Sequence, residues 1–308
     1  MRIAVIGAGG VGGYFGGQLA AAGNDVLFVA RGRQLEALRT HGLTVASDER
    51  PVTLDTVDAT DDIHAIQGAD LVLIAVKLGE TENIARRIAE APGSTPPILS
   101  LQNGVQKDEV LRAHLPDAEI LGGVCYISAA IESPGVIRHN GSLARIVLGS
   151  YGGKPSAAAV AMHRALDEAG VEAELSDDIE SALWRKFVFL VGLSSVTTVA
   201  RQPIGVLRAH VPTRQLLADV MTEAVAVAEA RGVALPADYV EQQLAFVDTL
   251  PEQMSSSMHR DLTHGNPLEL PWLGGGVVAM GADAGVPTPA GRALAAVLAP
   301  YVAGGATD

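Results

Sequence analysis

The chain has 308 residues, a formal net charge of −13 and 48% apolar residues. That length sets a prior of about two domains with a sizeable core, and the acidic balance argues against nucleic acid or an anionic membrane surface as partner. No apolar run approaches the roughly eighteen residues that span a bilayer, and the single cysteine, Cys125, allows no disulfide within the chain. A reducing, cytoplasmic setting is therefore expected, and no Cys/His cluster has metal-ligand spacing.

The first run, Ile3 to Ile6, reads as a buried strand. Glycines interrupt it and no cleavage pattern follows, so it does not read as a signal peptide. It leads into Gly7-Ala8-Gly9-Gly10-Val11-Gly12 and an Ala-rich helical stretch that ends near Gly23. In this G-x-G-x-x-G, Gly7 allows a tight turn, Gly9 lets the backbone approach a pyrophosphate, and Gly12 lets the helix pack close to the strand. The N–H groups at the helix start, from Gly7 to Gly12, form the expected dinucleotide cradle. A second strand spans Asp25 to Ala30. The acid that would hold a ribose 2′-hydroxyl, expected about twenty residues past the glycines, is missing. Arg31 occupies that place, with Arg33 beside it. A guanidinium pairs with a 2′-phosphate through two hydrogen bonds, whereas a carboxylate repels it. The cofactor reads as NADP(H) rather than NAD(H). The bland alternatives are a glycine turn that binds nothing and arginines that solvate a loop.

Apolar runs continue to alternate with helical patterns. Asp70 to Lys77, Pro97 to Gly104, Ile120 to Ile127, Ala144 to Gly149 and Val171 to Leu175 read as strands; Thr81 to Ala91 and Ser156 to Ala169 read as helices. This alternation implies an open, mostly parallel sheet covered on both faces. After Ser176-Asp177-Asp178, a good helix start, the strand signal disappears. Helices are expected at about 178–199, 212–231, 236–249, 255–264, 268–282 and 288–303, punctuated by Gly232, Pro251, Gly265 and Pro287. The expected division is residues 1–176, a nucleotide-binding α/β domain, and 177–308, an all-helical domain. A cleft between two such domains is a natural substrate site.

Within Leu183-Trp184-Arg185-Lys186-Phe187, Lys186 stands at the edge of a strongly apolar run. Helix geometry puts Leu190 and Ser194 on its face. An ammonium at the rim of a buried helix either snorkels to water or points into a cleft, and this segment alone leaves both open. Asn103-Gly104 ends a strand at the edge where cofactors lie, or is only a turn. Ser255-Ser256-Ser257 supplies hydroxyls or a helix cap. Glu269 follows Asn266-Pro267 and fits a capping box, although Pro271 weakens that reading.

Taken together, Gly7-x-Gly9-x-x-Gly12, Arg31, Ala75-Val76-Lys77, Gln102-Asn103-Gly104, Leu183 to Phe187, Ser256-Ser257-Met258 and Glu269 leading into Trp272-Leu273-Gly274-Gly275 give a chain that resembles the ketopantoate reductase family (2-dehydropantoate 2-reductases) over nearly its whole length. The resemblance implies a Rossmann-type domain followed by a helical domain similar to those of 6-phosphogluconate and hydroxy-acid dehydrogenases. It implies NADPH-dependent reduction of a branched 2-oxo acid, ketopantoate to pantoate. Lys186 matches the family's general acid, Glu269 the carboxylate near it, and Asn103 the asparagine between nicotinamide and substrate. Ser257 matches a serine that contacts the substrate carboxylate, Arg31 the 2′-phosphate arginine, and Lys77 a cofactor-side lysine.

The pattern breaks at four places. Leu190 and Ser194 stand where the family carries two asparagines, and both are expected to face the substrate. Pro271 and Gly274 stand where an acid and an asparagine are usual. A more apolar 2-oxo acid is therefore a rival substrate. A related dehydrogenase acting on a hydroxy acid and a non-catalytic NADP-binding sensor are the competing functions. A homodimer is the base-rate expectation for assembly.

Overall fold

A computed structural model describes residues 1–305; the last three residues of the expected helical domain lie outside it. The chain forms two compact units, Met1–Ala182 and Leu183–Asp308.

In the first unit the strands and helices run β1 (Arg2–Ile6), α1 (Gly10–Ala21), β2 (Asp25–Val29), α2 (Gly32–His41), β3 (Leu43–Ala46), β4 (Val52–Leu54) and β5 (Asp58–Thr60). They continue with β6 (Leu71–Ile74), α3 (Thr81–Ala89), β7 (Ile98–Ser100), α4 (Lys107–His114), β8 (Ile120–Ser133), β9 (Val136–Gly149), α5 (Ala157–Glu168) and β10 (Glu172–Leu175). The parallel core runs β5-β2-β1-β6-β7-β8. This is the doubly wound order of a dinucleotide-binding sheet, and it reverses direction between β1 and β6. Alternate residues of β1 serve opposite faces. Ile3 and Val5 join the core that contains Tyr14 and Phe15 of α1, while Ala4 and Ile6 join the one that contains Ile84 and Ile88 of α3. Burial on both faces explains why these strands read as continuous apolar runs.

The expected Rossmann-type architecture is present, with an addition that the sequence did not announce. The runs at Ile120 and Ala144 belong to one antiparallel hairpin of two long strands, β8 and β9. Pro134 and Gly135 join them, with Gly135 at φ +80°, the proline-then-positive-φ sequence of a type II turn. β9 also pairs with β3 at one end and β10 at the other, and β3 pairs with β4. This extension packs against α1 on the side away from β1. A Cβ at Gly16 would meet Phe28 at 2.6 Å, whereas one at Gly13 would meet Ile137 at 2.7 Å and one at Gly17 Val45 at 3.1 Å. A helix covered on both sides has no need of a polar face, and Gly12 to Leu19 are all buried.

A buried ion pair fixes the start of α4. Lys107 Nζ donates to Asp108 at 2.9 and 2.8 Å and to the Ser100 carbonyl at 3.1 Å. Tyr151 donates to the same carboxylate at 2.6 Å, and the Arg112 guanidinium lies 3.7 Å from the Tyr151 ring centre. Burial, then the Asp108 charge, push the Tyr151 phenol upward, so it remains a donor.

The second unit is helical. It is entered by α6 (Ile179–Ala200), whose first turn still belongs to the first unit. Asp178 accepts from Ser181 N at 3.1 Å, the cap expected from the sequence. Then follow α7 (Ile204–Ala209), α8 (Val211–Ala230), α9 (Tyr239–Thr249), α10 (Ser257–Thr263), α11 (Gly274–Ala284) and α12 (Pro289–Leu298). α8 packs on α7, α9, α11 and α12. Its Glu223 accepts from Ala290 N at 2.7 Å and Gly291 N at 2.8 Å, placing a carboxylate on the positive end of α12. The helix expected over 268–282 is instead a 3-10 turn at Leu270–Trp272 followed by α11, because Pro271 cannot continue an α-helix.

The expectation that no segment has the length and apolarity of a membrane span is corrected by α6. It has 22 residues, and its most apolar 18-residue window averages a hydropathy of 1.3. Arg185 and Lys186 interrupt the run for the eye but not for the average. In the structure 67% of that window is buried, as in a core helix.

Replacing Lys107 with Ala strands the Asp108 carboxylate, which costs about 3–5 kcal/mol when a buried pair loses one partner. A thermal melt of Lys107→Ala is expected to show a Tm lower by roughly 6–20 °C; a fall under about 2 °C would mean that the pair contributes nothing.

Candidate active site

Parallel pairing brings the carboxyl ends of β2, β1, β6 and β7 to one edge of the first unit. The ladder continues past the strands: Gly7 N donates to Val29 O, Ala75 N to Ile6 O and Leu101 N to Ile74 O, each at 2.9 Å. The segments just beyond carry Gly7 to Gly12, Arg31, Lys77 and Asn103. The structure thus gathers every expected cofactor residue of this unit at the point where strand order reverses, the binding position in open α/β sheets.

The glycines divide the work as their spacing implied. Gly7 has φ +98°, and a Cβ on it would lie 2.8 Å from Val76 Cγ1. A Cβ on Gly12 would overlap the Gly7 carbonyl oxygen and lie 3.1 Å from Ala75 Cβ, so the first turn of α1 presses on the strand below. Gly9 has no heavy atom within 4 Å of its Cβ position. It is the N-cap of α1, and its residue type supplies no capping side chain. The first intrahelical bond runs from Gly13 N to Gly9 O at 2.7 Å, which leaves the N–H groups of Gly10, Val11 and Gly12 ahead of it. Open space before uncapped helix N–H groups fits a diphosphate. Ala8 is buried, and its carbonyl accepts from Gln34 Nε2 at 2.8 Å. The same amide accepts from Gly135 N at 3.0 Å, tying the loop to the β8–β9 turn.

Arg31 and Lys77 are exposed, and Asn103 is half-buried. Arg31 Nη2 lies 3.3 Å from Glu80 Oε2. Asn103 stands between buried Gln102 and Gly104, which has φ +88°. Gln102 Nε2 donates to Thr81 Oγ1 at 2.8 Å and to the Lys77 carbonyl at 3.4 Å, and Ser100 Oγ donates to Gln102 Oε1 at 3.0 Å. Gln102, Gln34 and Glu80 are the residues that sequence reasoning left without a role. In sequence, Gln102 stood out only as an amide at the end of an apolar run and as part of Gln102-Asn103-Gly104.

In the second unit the expected residues gather on or near α6. Lys186 and Leu190 are half-buried and Ser194 is buried, on one helical face. Trp184 stacks edge-on to Phe187 at 5.4 Å. Ser256 proves to be the cap of α10, accepting from His259 N at 3.0 Å, and it shares a 2.9 Å hydrogen bond with Thr197 of α6. That leaves half-buried Ser257, the first residue of α10, as the candidate ligand. His259 shares a hydrogen bond with Ser255. Burial, then the charges of Arg201 and Arg260, hold its imidazole below the usual range. Half-buried Glu269 immediately precedes the 3-10 turn, and no helix starts at Asn266-Pro267, so the capping-box reading does not hold. α11 begins against α6: a Cβ on Gly274 would lie 2.7 Å from Ser195 Oγ.

The strand order and the uncapped glycine turn define a dinucleotide-binding protein of Rossmann type. The family model described as "Ketopantoate reductase PanE/ApbA" matches residues 3–153, and "Ketopantoate reductase PanE/ApbA C terminal" matches residues 178–302. The 2-dehydropantoate 2-reductase of Halobacterium salinarum is 32% identical over 299 residues, 96% of this chain and 97% of the relative. The crystal structure of the PanE/ApbA family ketopantoate reductase from Ralstonia eutropha JMP134 superposes with a TM-score of 0.89 at 34% identity, covering 98% of each chain. A ternary structure of D-mandelate dehydrogenase with NADH and anilino(oxo)acetate superposes at 0.87 with 23% identity over 98% of each chain, a likeness of fold alone. The chain belongs to the PanE/ApbA ketopantoate reductase family, as the sequence resemblance implied, and it is a dinucleotide-dependent oxidoreductase.

The two glycines should separate in a binding and melting experiment. Gly9→Ala has room for its methyl, so its Tm should stay within about 2 °C of the parent while dinucleotide affinity falls at least tenfold. Gly12→Ala must displace the Gly7 carbonyl, so both Tm and affinity should drop. Full affinity in Gly9→Ala would remove this turn from the cofactor site.

Proposed function

We propose that the protein is an NADPH-dependent reductase of a branched 2-oxo acid, with ketopantoate, reduced to pantoate, as the default substrate and Lys186 as general acid. The observation that carries the reading is Lys186 itself. It is a half-buried ammonium at the start of the stretch of α6 that, from Phe187 onward, carries only apolar and hydroxyl-bearing residues, in a chain whose other unit holds a dinucleotide cradle. A bound nicotinamide supplies the hydride. Hydride arriving at a ketone carbon leaves negative charge on the oxygen; the Lys186 ammonium stabilises that charge and donates its proton to the oxygen. Glu269 orients the lysine, Ser257 hydrogen-bonds the substrate carboxylate, and Asn103 fixes the reacting carbonyl. Arg31 pairs with the 2′-phosphate, Lys77 adds a cation on the cofactor side, and Gly7 to Gly12 hold the diphosphate. A lone buried cysteine, Cys125, accords with a cytosolic setting.

A second reading changes the substrate and keeps the chemistry. Leu190 offers no hydrogen bond beside Lys186, and a site that lacks a polar partner discriminates against a polar substrate. A 2-oxo acid with an unsubstituted aliphatic side chain suits that face better than ketopantoate with its hydroxyl.

NADPH oxidation is followed with a panel of 2-oxo acids. Lys186→Ala is expected to lower kcat by about 10²–10⁴-fold with little change in KM. Equal turnover in that variant removes Lys186 from the mechanism. Tight NADPH binding with no oxo acid accelerating its oxidation reduces the protein to a nucleotide-binding sensor. Within the same panel, Leu190→Asn should shift kcat/KM toward ketopantoate over an aliphatic 2-oxo acid by about tenfold, the worth of one hydrogen bond. An unchanged ratio would place residue 190 away from the substrate.

A further inference from the structure

Arg31 already has an anionic partner inside the protein. Its Nη2 lies 3.3 Å from Glu80 Oε2, across 49 residues of sequence. Glu80 occupies the N-cap position of α3, at the end of the segment that follows β6, so the pair joins two of the loops that gather at the nucleotide edge. The carboxylate is held from a second side: Asn83 Nδ2 donates to the same oxygen at 3.4 Å. The side chains of Arg31 and Glu80 are 68% and 37% exposed. Water screens such a pair, which makes it weak and breakable.

We propose that Glu80 is a specificity-determining residue for the cofactor, an internal competitor that occupies Arg31 until a 2′-phosphate displaces it. The proposal rests on reading Arg31 as the 2′-phosphate anchor. A 2′-phosphate is a better partner for a guanidinium than one carboxylate oxygen, because it carries more charge and accepts two parallel hydrogen bonds. It therefore wins Arg31, but it must break the Glu80 contact and sit near a like charge. A cofactor with a bare 2′-hydroxyl meets neither cost. Glu80 thereby narrows the preference for NADPH over NADH below what Arg31 alone would give.

The test is a set of equilibrium titrations of NADPH and NADH, and of 2′-AMP against 5′-AMP, into the full-length protein and its Glu80→Gln, Glu80→Ala and Arg31→Ala variants. Both Glu80 variants should bind NADPH and 2′-AMP about three- to fivefold more tightly, with NADH and 5′-AMP unchanged within twofold. The gain should shrink as salt is added. Arg31→Ala should abolish the preference for the 2′-phosphate. If Arg31→Ala behaves so while both Glu80 variants leave the NADPH-to-NADH ratio unchanged, or move both cofactors equally, the Glu80 inference is wrong and the Arg31 reading stands. If Arg31→Ala keeps the full preference, the Arg31 reading fails and Glu80 loses its role with it.

Discussion

The nucleotide edge depends on one close approach of backbone to backbone, the first turn of α1 lying against the carbonyl of Gly7. No side chain fits there, since a Cβ on Gly12 would overlap that oxygen. The approach is held from above as well as below. The long β8–β9 hairpin and β3 cover the far side of α1, and a Cβ on Gly10 would overlap the carbonyl of Ala129 in β8. Four buried helical glycines, Gly12, Gly13, Gly16 and Gly17, carry an entropic penalty of roughly 2–4 kcal/mol in all. The packing they permit against Val5, Phe28, Ile137 and Val45 offsets it. Burial, and not amphipathicity, fixes the direction in which the helix N–H groups point.

Around that turn the structure separates two kinds of polar residue. Neutral amides set the loops: Gln34 joins the Ala8 carbonyl to Gly135, and Gln102 joins the end of β7 to Thr81 and Lys77. Both make several short, directional bonds in partly or fully buried surroundings, where a hydrogen bond is worth more and an unmade one costs more. The cations Arg31 and Lys77 stay exposed. Exposure keeps a charge hydrated, whereas burying it without a partner is far more costly. The Lys107–Asp108 pair shows the opposite solution, a charge taken fully inside and matched by hydrogen bonds on both sides.

The parts of the fold that were legible in the sequence are those where one physical signal dominates. Continuous apolar runs marked β1, β6 and β7, which are buried on both faces, and the cap at Asp178 marked α6. β3, β4 and β5 were missed because each is short and broken by a polar residue, so none forms a continuous apolar run. α2 was missed because its N-terminal turn, Gly32-Arg33-Gln34, holds no acid and no capping side chain, and so gives no helix-start signal. The hairpin was seen as two separate strands, since Ser128 to Ser133 and Asn140 to Leu143 are largely exposed and break the apolar signal between its two buried ends. The candidate site was legible residue by residue, but its ties were not. Glu80 and Gln102 are ordinary residues in sequence, and only the strand order brings them to Arg31 and Lys77.

One departure from the expected family pattern, Gly274, is tied to α6 by packing. A side chain at 274 would have to displace the hydroxyl of Ser195, 2.7 Å from the Cβ position. Ser195 Oγ is itself buried with no hydrogen-bond partner among the described residues, a state that costs about 1–3 kcal/mol. An orphan hydroxyl thus stands where an asparagine amide would have met α6, one residue beyond Ser194. The other hydroxyls of this stretch of α6 are satisfied within the helix itself: Ser194 Oγ donates to Val191 O at 3.4 Å, Thr197 Oγ1 to Leu193 O at 2.7 Å and Thr198 Oγ1 to Ser194 O at 2.5 Å.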